Sequence, residues 1–157
     1  MSDLKIFLSY CHEDEDTKNK LLKYLKPVLK GHNVELWHDS EILTGESLQR
    51  SIQQALSEST IFICLISSDY LASNYCIDVE LKHALDQHKI GKANIFPIIA
   101  RKCSWTHTIF YDLKCQPKDA LPIVKWPDED DVFTDIADEL AKVLKSLDTD
   151  NQKKKQI

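Results

Sequence analysis

The chain has 157 residues, a hydrophobic share of 43% and a formal net charge of −5. That is enough for one domain with a real core, and it argues against intrinsic disorder. The acidic balance argues against a nucleic-acid partner, because phosphate binding wants a basic surface, and no apolar run approaches the roughly 20 residues of a membrane span.

Leu4-Lys5-Ile6-Phe7-Leu8 reads as a first short strand, entered directly from Met1-Ser2-Asp3 with no secretory leader. The five cysteines follow no regular spacing, so the expectation is a cytoplasmic protein with reduced thiols. His12 to Asp16 is acidic and reads as a solvated loop entering a helix, where the dipole favours negative charge. Leu21, Leu22, Leu25, Val28 and Leu29 fall at helical spacing, with Pro27 late in the run and Gly31 as the expected stop. Val34 to Trp37 is a second strand. His38 to Ser47 is a polar loop around Gly45. Leu48, Ile52, Ala55 and Leu56 mark one face of the next helix.

Ile61 to Ile66 is continuously apolar, as a central parallel strand buried on both faces must be. Leu81, Ala84 and Leu85 mark a helix after it. Asn94 to Ala100 is a fourth strand, and Pro97 within it suggests an edge or a bulge. Lys102 to Ala120 is irregular, anchored by Trp105 and Phe110. Leu121 to Trp126 contains a short fifth strand. Val132, Phe133, Ile136, Leu140, Val143, Leu144 and Leu147 form an amphipathic helix. Residues 1–148 are read as the domain and 149–157 as a polar, lysine-rich tail or the start of a linker.

Strands alternating with helices predict an α/β fold, a flavodoxin-like three-layer sandwich. Its mostly parallel sheet has five strands in the order 2-1-3-4-5. The order reverses at strands 1 and 3, so ligands are expected in the crevice at their carboxyl ends. Ser9-Tyr10-Cys11-His12 and Ser67-Ser68-Asp69-Tyr70 leave those ends, the loop His38 to Ser47 rims the same edge, and Glu80 lies on the helix that follows strand 3. The three glycines, Gly31, Gly45 and Gly91, do not cluster, so no glycine-rich phosphate loop is present. Cys103, His107 and Cys115 lack the compact four-ligand spacing of a zinc site, and no metal is expected.

Four motifs carry a family resemblance. They are Phe7-Leu8-Ser9-Tyr10-Cys11-His12-Glu13-Asp14; Leu36-Trp37-His38-Asp39 with Ile42 and Gly45; Leu65-Ile66-Ser67 with Ser73-Asn74-Tyr75-Cys76 and Glu80-Leu81; and Ala120-Leu121-Pro122 with Trp126. In this order and spacing, from about Leu4 to Leu147, the chain resembles a bacterial TIR (Toll/interleukin-1 receptor) domain. Many such domains cleave NAD+ between nicotinamide and ribose, using a glutamate on the helix after strand 3. The resemblance implies Glu80 as the catalytic residue. It implies Ser9, Tyr10, Cys11, Asp39, Leu43 and Tyr75 as NAD-binding residues, NAD+ as substrate rather than cofactor, and partnership with other TIR domains by self-association. An upstream sensor domain or protein would supply the trigger, and neither nucleic acid nor membrane is implied. The family often reads Trp-Cys-x-x-Glu, whereas here one residue more separates Tyr75 from Glu80. One residue is roughly 100° on a helix, so either the helix begins later or Tyr75 leaves the family's Trp site.

Nicotinamide in NAD+ is already cationic and departs neutral, so a single carboxylate suffices where other glycosidases need two. The expected activity is an NAD+ glycohydrolase giving ADP-ribose or a cyclic isomer, acting as a bacterial defence effector switched on by assembly. The alternative is a non-enzymatic TIR adaptor that docks through the loop His38 to Ser47. A phospho-receiver shares the topology and would use Glu13, Asp14, Asp69 and Lys125, but those acids lie several residues beyond the strand ends.

Overall fold

The computed structural model describes residues 4–155. Met1-Ser2-Asp3 and the last two residues lie outside them. Four parallel strands, β1 (Lys5–Ser9), β2 (Glu35–Trp37), β3 (Ile61–Ile66) and β4 (Asn94–Ile99), form one sheet in the order β2-β1-β3-β4. Registers such as Phe7 opposite Phe62 and Phe62 opposite Ile95 bring β3 and β4 to a common end at Ile66 and Ile99, with β1 ending opposite Cys64. Side chains alternate across a strand, so each central strand feeds two cores. Ile6, Leu8, Ile61, Ile63 and Leu65 pack against α1 (Glu15–His32) and α5 (Glu129–Lys155). Phe7 and Phe62 turn the other way, onto α2 (Leu48–Glu58) and α4 (Lys82–Lys89). Every residue of β3 is buried, as its unbroken apolar run requires.

Three expectations need correction. The segment Leu121 to Trp126 is not a strand: Ile123–Lys125 is a single tight helical turn, with Ile123 buried and Val124 exposed. Pro122 fixes one backbone angle and removes a donor just where a strand would begin. The sheet edge is closed instead by Gln116, which donates to the Pro97 carbonyl and accepts from Ile99 N–H, both at 2.8 Å. Those bonds also explain Pro97. Its missing N–H faces the outer edge, where it removes no hydrogen bond to β3. Second, α1 runs past Gly31 to His32, and Asn33 adopts the left-handed conformation that ends it (φ 53°). Third, α5 continues beyond Leu147 to Lys155, so the backbone of the expected tail is helical up to that residue.

Candidate active site

The carboxyl ends of the strands deliver the site. β3 ends at Ile66, and Ser67 caps the short helix α3 (Ser68–Ala72), its hydroxyl accepting from Tyr70 N–H at 3.2 Å. The chain then enters a wide helical turn, Cys76–Leu81, before regular α4. In that turn Lys82 N–H reaches back five residues to the Ile77 carbonyl, the bonding of a π-helix. This turn resolves the spacing left open by the sequence. A five-residue turn brings Tyr75 and Glu80 onto one face, where four-residue spacing would do so in an α-helix, and both line the same cleft. The extra residue is absorbed locally, and the wide turn is the means.

The cleft has a volume of about 580 Å³ and is walled by Tyr10, Cys11, Asp39, Ile52, Tyr75 and Glu80. Glu80 is only 7% exposed. Ser9 Oγ donates to its Oε1 at 2.6 Å, and Ser9 in turn lies 2.9 Å from the Tyr70 hydroxyl. Burial raises the Glu80 carboxyl from its ordinary 4.5 to about 7; the Ser9 hydrogen bond opposes the rise and Asp39, across the cleft, adds to it. The chain thus holds a carboxyl that exchanges its proton near neutral pH on the wall of an open cleft.

The other expected residues are distributed unevenly. Tyr10 donates to Asp39 Oδ1 at 2.7 Å, with the Lys18 ammonium 5.1 Å from its ring centroid. Burial, then Asp39, hold the phenol well above its usual range. Cys11 lines the cleft, but its thiol points to Asp14 Oδ2 at 3.1 Å, and burial followed by that carboxylate pushes it up to about 12. Cys76 is pushed to about 11, first by burial, so neither thiol is an activated nucleophile. Tyr75 is half exposed at the rim. Ser9 lies behind Glu80 rather than on the cleft wall, and Leu43, 72% exposed, stands outside the wall on the loop that Gly45 turns with a φ of +94°. Trp37 stacks on Phe7 at 5.1 Å and serves packing.

The acidic run at His12 to Asp16 was expected to be solvated, and for Asp14 this is wrong. Asp14 is 3% exposed and takes hydrogen bonds from Ser67, Cys11 and Arg101 Nε, the last at 3.1 Å. Arg101, just beyond β4, also bonds Asp69 at 2.6 Å. Asp14, Asp69 and Arg101 thus tie together the exits of β1, β3 and β4. Two of the three acids that a phospho-receiver would use, Asp14 and Asp69, are bound to a guanidinium. Arg101 was not singled out from the sequence; its place at the carboxyl end of a strand was the available signal.

The TIR domain family model matches residues 6–136, and the chain belongs to that family. It is 39% identical over 132 residues to the protein y4lF of Sinorhizobium fredii, covering 84% of this chain and 41% of that one. It is 29% identical over 93 residues to a Bacteroides thetaiotaomicron protein named 2′ cyclic ADP-D-ribose synthase BtTIR, covering 59% of this chain and 31% of that one. The chain therefore spans less than half the length of these curated relatives. In solved structures, the TIR domain of the receptor TRR-2 from Hydra magnipapillata aligns over 87% of this chain and 98% of its own, with a TM-score of 0.56 at 21% identity. The TIR domains of the activated Roq1 resistosome, which recognises the pathogen effector XopQ, align over 89% of this chain and 84% of theirs, with a TM-score of 0.51 at 20% identity. These likenesses bear out the flavodoxin-like fold, with four strands in place of five. Among the described residues, no helix is long and apolar enough to cross a membrane.

Proposed function

We propose that this domain cleaves the nicotinamide–ribose bond of NAD+, with Glu80 as the acting carboxylate. The observation that carries this reading is a buried glutamate on the cleft at the sheet's carboxyl end, with no cation paired with it among the described residues and a proton affinity raised to about 7. The naming of a bacterial relative as a 2′ cyclic ADP-D-ribose synthase supports it.

The bond from C1′ to the pyridinium nitrogen breaks with its electron pair going to nitrogen, so nicotinamide leaves neutral. The oxocarbenium left on the ribose carries the positive charge, and ionised Glu80 stabilises it in a partly dry cleft. Water then adds at C1′ and gives its proton to Glu80, yielding ADP-ribose; a hydroxyl of the ADP-ribosyl group adding in its place yields a cyclic isomer. A carboxyl titrating near 7 suits that proton transfer. Tyr75 and Tyr10 offer rings beside the cleft for the cofactor-like aromatic parts of NAD+. Asp39 is the acid across the cleft and, with Cys11, borders the bound nucleotide. In a cell the domain acts as a cytoplasmic defence effector, with the trigger coming from a partner or a further domain.

The test is purified protein at high concentration with NAD+, followed by chromatography for free nicotinamide. Release is expected from the wild-type chain and not from Glu80→Ala. No release under any assembling condition, or full activity in that variant, overturns the reading. A second reading, homotypic docking, is favoured by Leu43 and Leu48, which stand 72% and 62% exposed beside the cleft. Self-association that survives Glu80→Ala while nicotinamide release is lost would make docking the accessory and cleavage the output.

A further inference from the structure

The acid at the cleft is one end of a buried line of hydroxyls. Ser9 is 2% exposed and Tyr70 not at all, so water does not reach either group. An ionised carboxylate only accepts hydrogen bonds, and Ser9 has one proton to give. With Glu80 ionised, that proton lies on the 2.6 Å contact to Oε1, and the Tyr70 phenol donates across the 2.9 Å contact to Ser9 Oγ. With Glu80 protonated, the direction of both bonds can reverse. We propose that Ser9 and Tyr70 are a positioning relay that keeps Glu80 ionised and holds one of its oxygens back, leaving the other for the reaction. This rests on the reading of Glu80 as the acting acid.

The surroundings leave this task to the relay. Oε1 is engaged by Ser9, and among the described residues no group bonds Oε2. The titratable groups that face Glu80 are Asp39 from the loop after β2, Tyr75 and Cys76 from its own turn, and Cys64 from β3. Burial pushes Tyr75 and Cys64 to about 12 and Cys76 to about 11, so all three are neutral at working pH. Asp39 disfavours the Glu80 charge, and Ser9 is the group that favours it. Tyr70 is held well above its usual range, chiefly by burial, so its phenol stays protonated throughout and can donate whenever Glu80 is ionised. Hydrogen bonds in such a line polarise one another, so loss of the far hydroxyl is felt at the near one.

The experiment pairs a carbon-13 NMR titration of the Glu80 carboxyl with the pH profile of nicotinamide release. Ser9→Ala removes the bond that favours the charged form, so the Glu80 midpoint moves up by about one pH unit. The acid limb of kcat moves up with it, while KM stays close to wild type. Ser9→Thr keeps a hydroxyl and restores both. Tyr70→Phe moves the midpoint in the same direction by roughly half as much, and it decides the matter should Ser9→Ala fail to fold. An unmoved midpoint in the folded variants overturns the relay. The titration needs no turnover. Moved midpoints in a protein that never releases nicotinamide would remove the proposed function and keep the relay; normal release with unmoved midpoints would do the reverse.

Discussion

Asp14 and Glu80 both lie at the carboxyl end of the sheet, and both are nearly out of water, at 3% and 7% exposure. Asp14 faces Arg101 at 3.0 Å and fills its remaining acceptor sites with Ser67 and Cys11. Glu80 receives one hydroxyl, and the charge that acts on it is Asp39, of like sign. Removing a carboxylate from water costs several kcal/mol unless a partner offsets it. At Asp14 the offset is made, and the result is a tie between three strand exits. At Glu80 it is withheld, and the result is a carboxyl poised near 7. An uncompensated acid on a cleft wall is a functional feature; a compensated one at the same end of the sheet is a structural one.

The largest break in this comparison is Glu80→Gln. Nicotinamide release is expected to fall by roughly 10³-fold, the scale of losing a positioned charge or proton acceptor. The same change should raise stability at pH 7.5, since a neutral amide replaces a carboxylate that is held ionised at a cost. A midpoint of thermal unfolding that falls with the activity would show Glu80 to be a structural acid like Asp14. Asp14→Ala should do the opposite: it orphans Ser67 and Cys11 and leaves Arg101 with Asp69 alone. Arg101 is 40% exposed and can rehydrate, so the loss is about 2–3 kcal/mol rather than the full price of a broken buried pair. Denaturant unfolding reads it directly, and a loss within experimental scatter would undo the contrast.

The sequence allowed only one side of this contrast to be read. β1 and β3 were legible because buried parallel strands are apolar without alternation. Glu80 was legible because the topology sends everything leaving β1 and β3 into one crevice and the family resemblance marked the acid. The Asp14–Arg101 pair was not, because its members lie 87 residues apart and an Asp in an acidic run normally faces water. The fifth strand was misread because a short, partly apolar segment between Pro122 and Pro127 can bury Ile123 from a single turn as well as from a strand. The one-residue excess between Tyr75 and Glu80 was visible in the sequence. Its absorption by a π turn was not, because which helical hydrogen bond yields is decided by where the two side chains must pack.

A smaller effect follows from proton linkage. Glu80 binds its proton more tightly in the folded chain, at about 7 against an ordinary 4.5. Between those values the folded state holds a proton that the unfolded state has released, so stability falls as pH rises through the window and is level above it. The decline amounts to about 3 kcal/mol. It should be absent from Glu80→Gln and so appear in the difference between wild type and that variant, measured by denaturant titration at several pH values. A difference independent of pH would mean that Glu80 is not the group that titrates.

The smallest effect is expected at Tyr75, where the comparison can be sharpened without touching either acid. Its ring borders the cleft, but among the described residues its hydroxyl bonds to none, and it is 46% exposed. What it offers a substrate is a face rather than a donor. Tyr75→Phe should leave kcat and KM within about twofold, whereas Tyr75→Ala should raise KM by roughly tenfold with kcat nearly unchanged, the signature of lost ground-state binding. If Phe proves as damaging as Ala, the hydroxyl matters, and the π turn is then placing a polar group beside Glu80 rather than a ring.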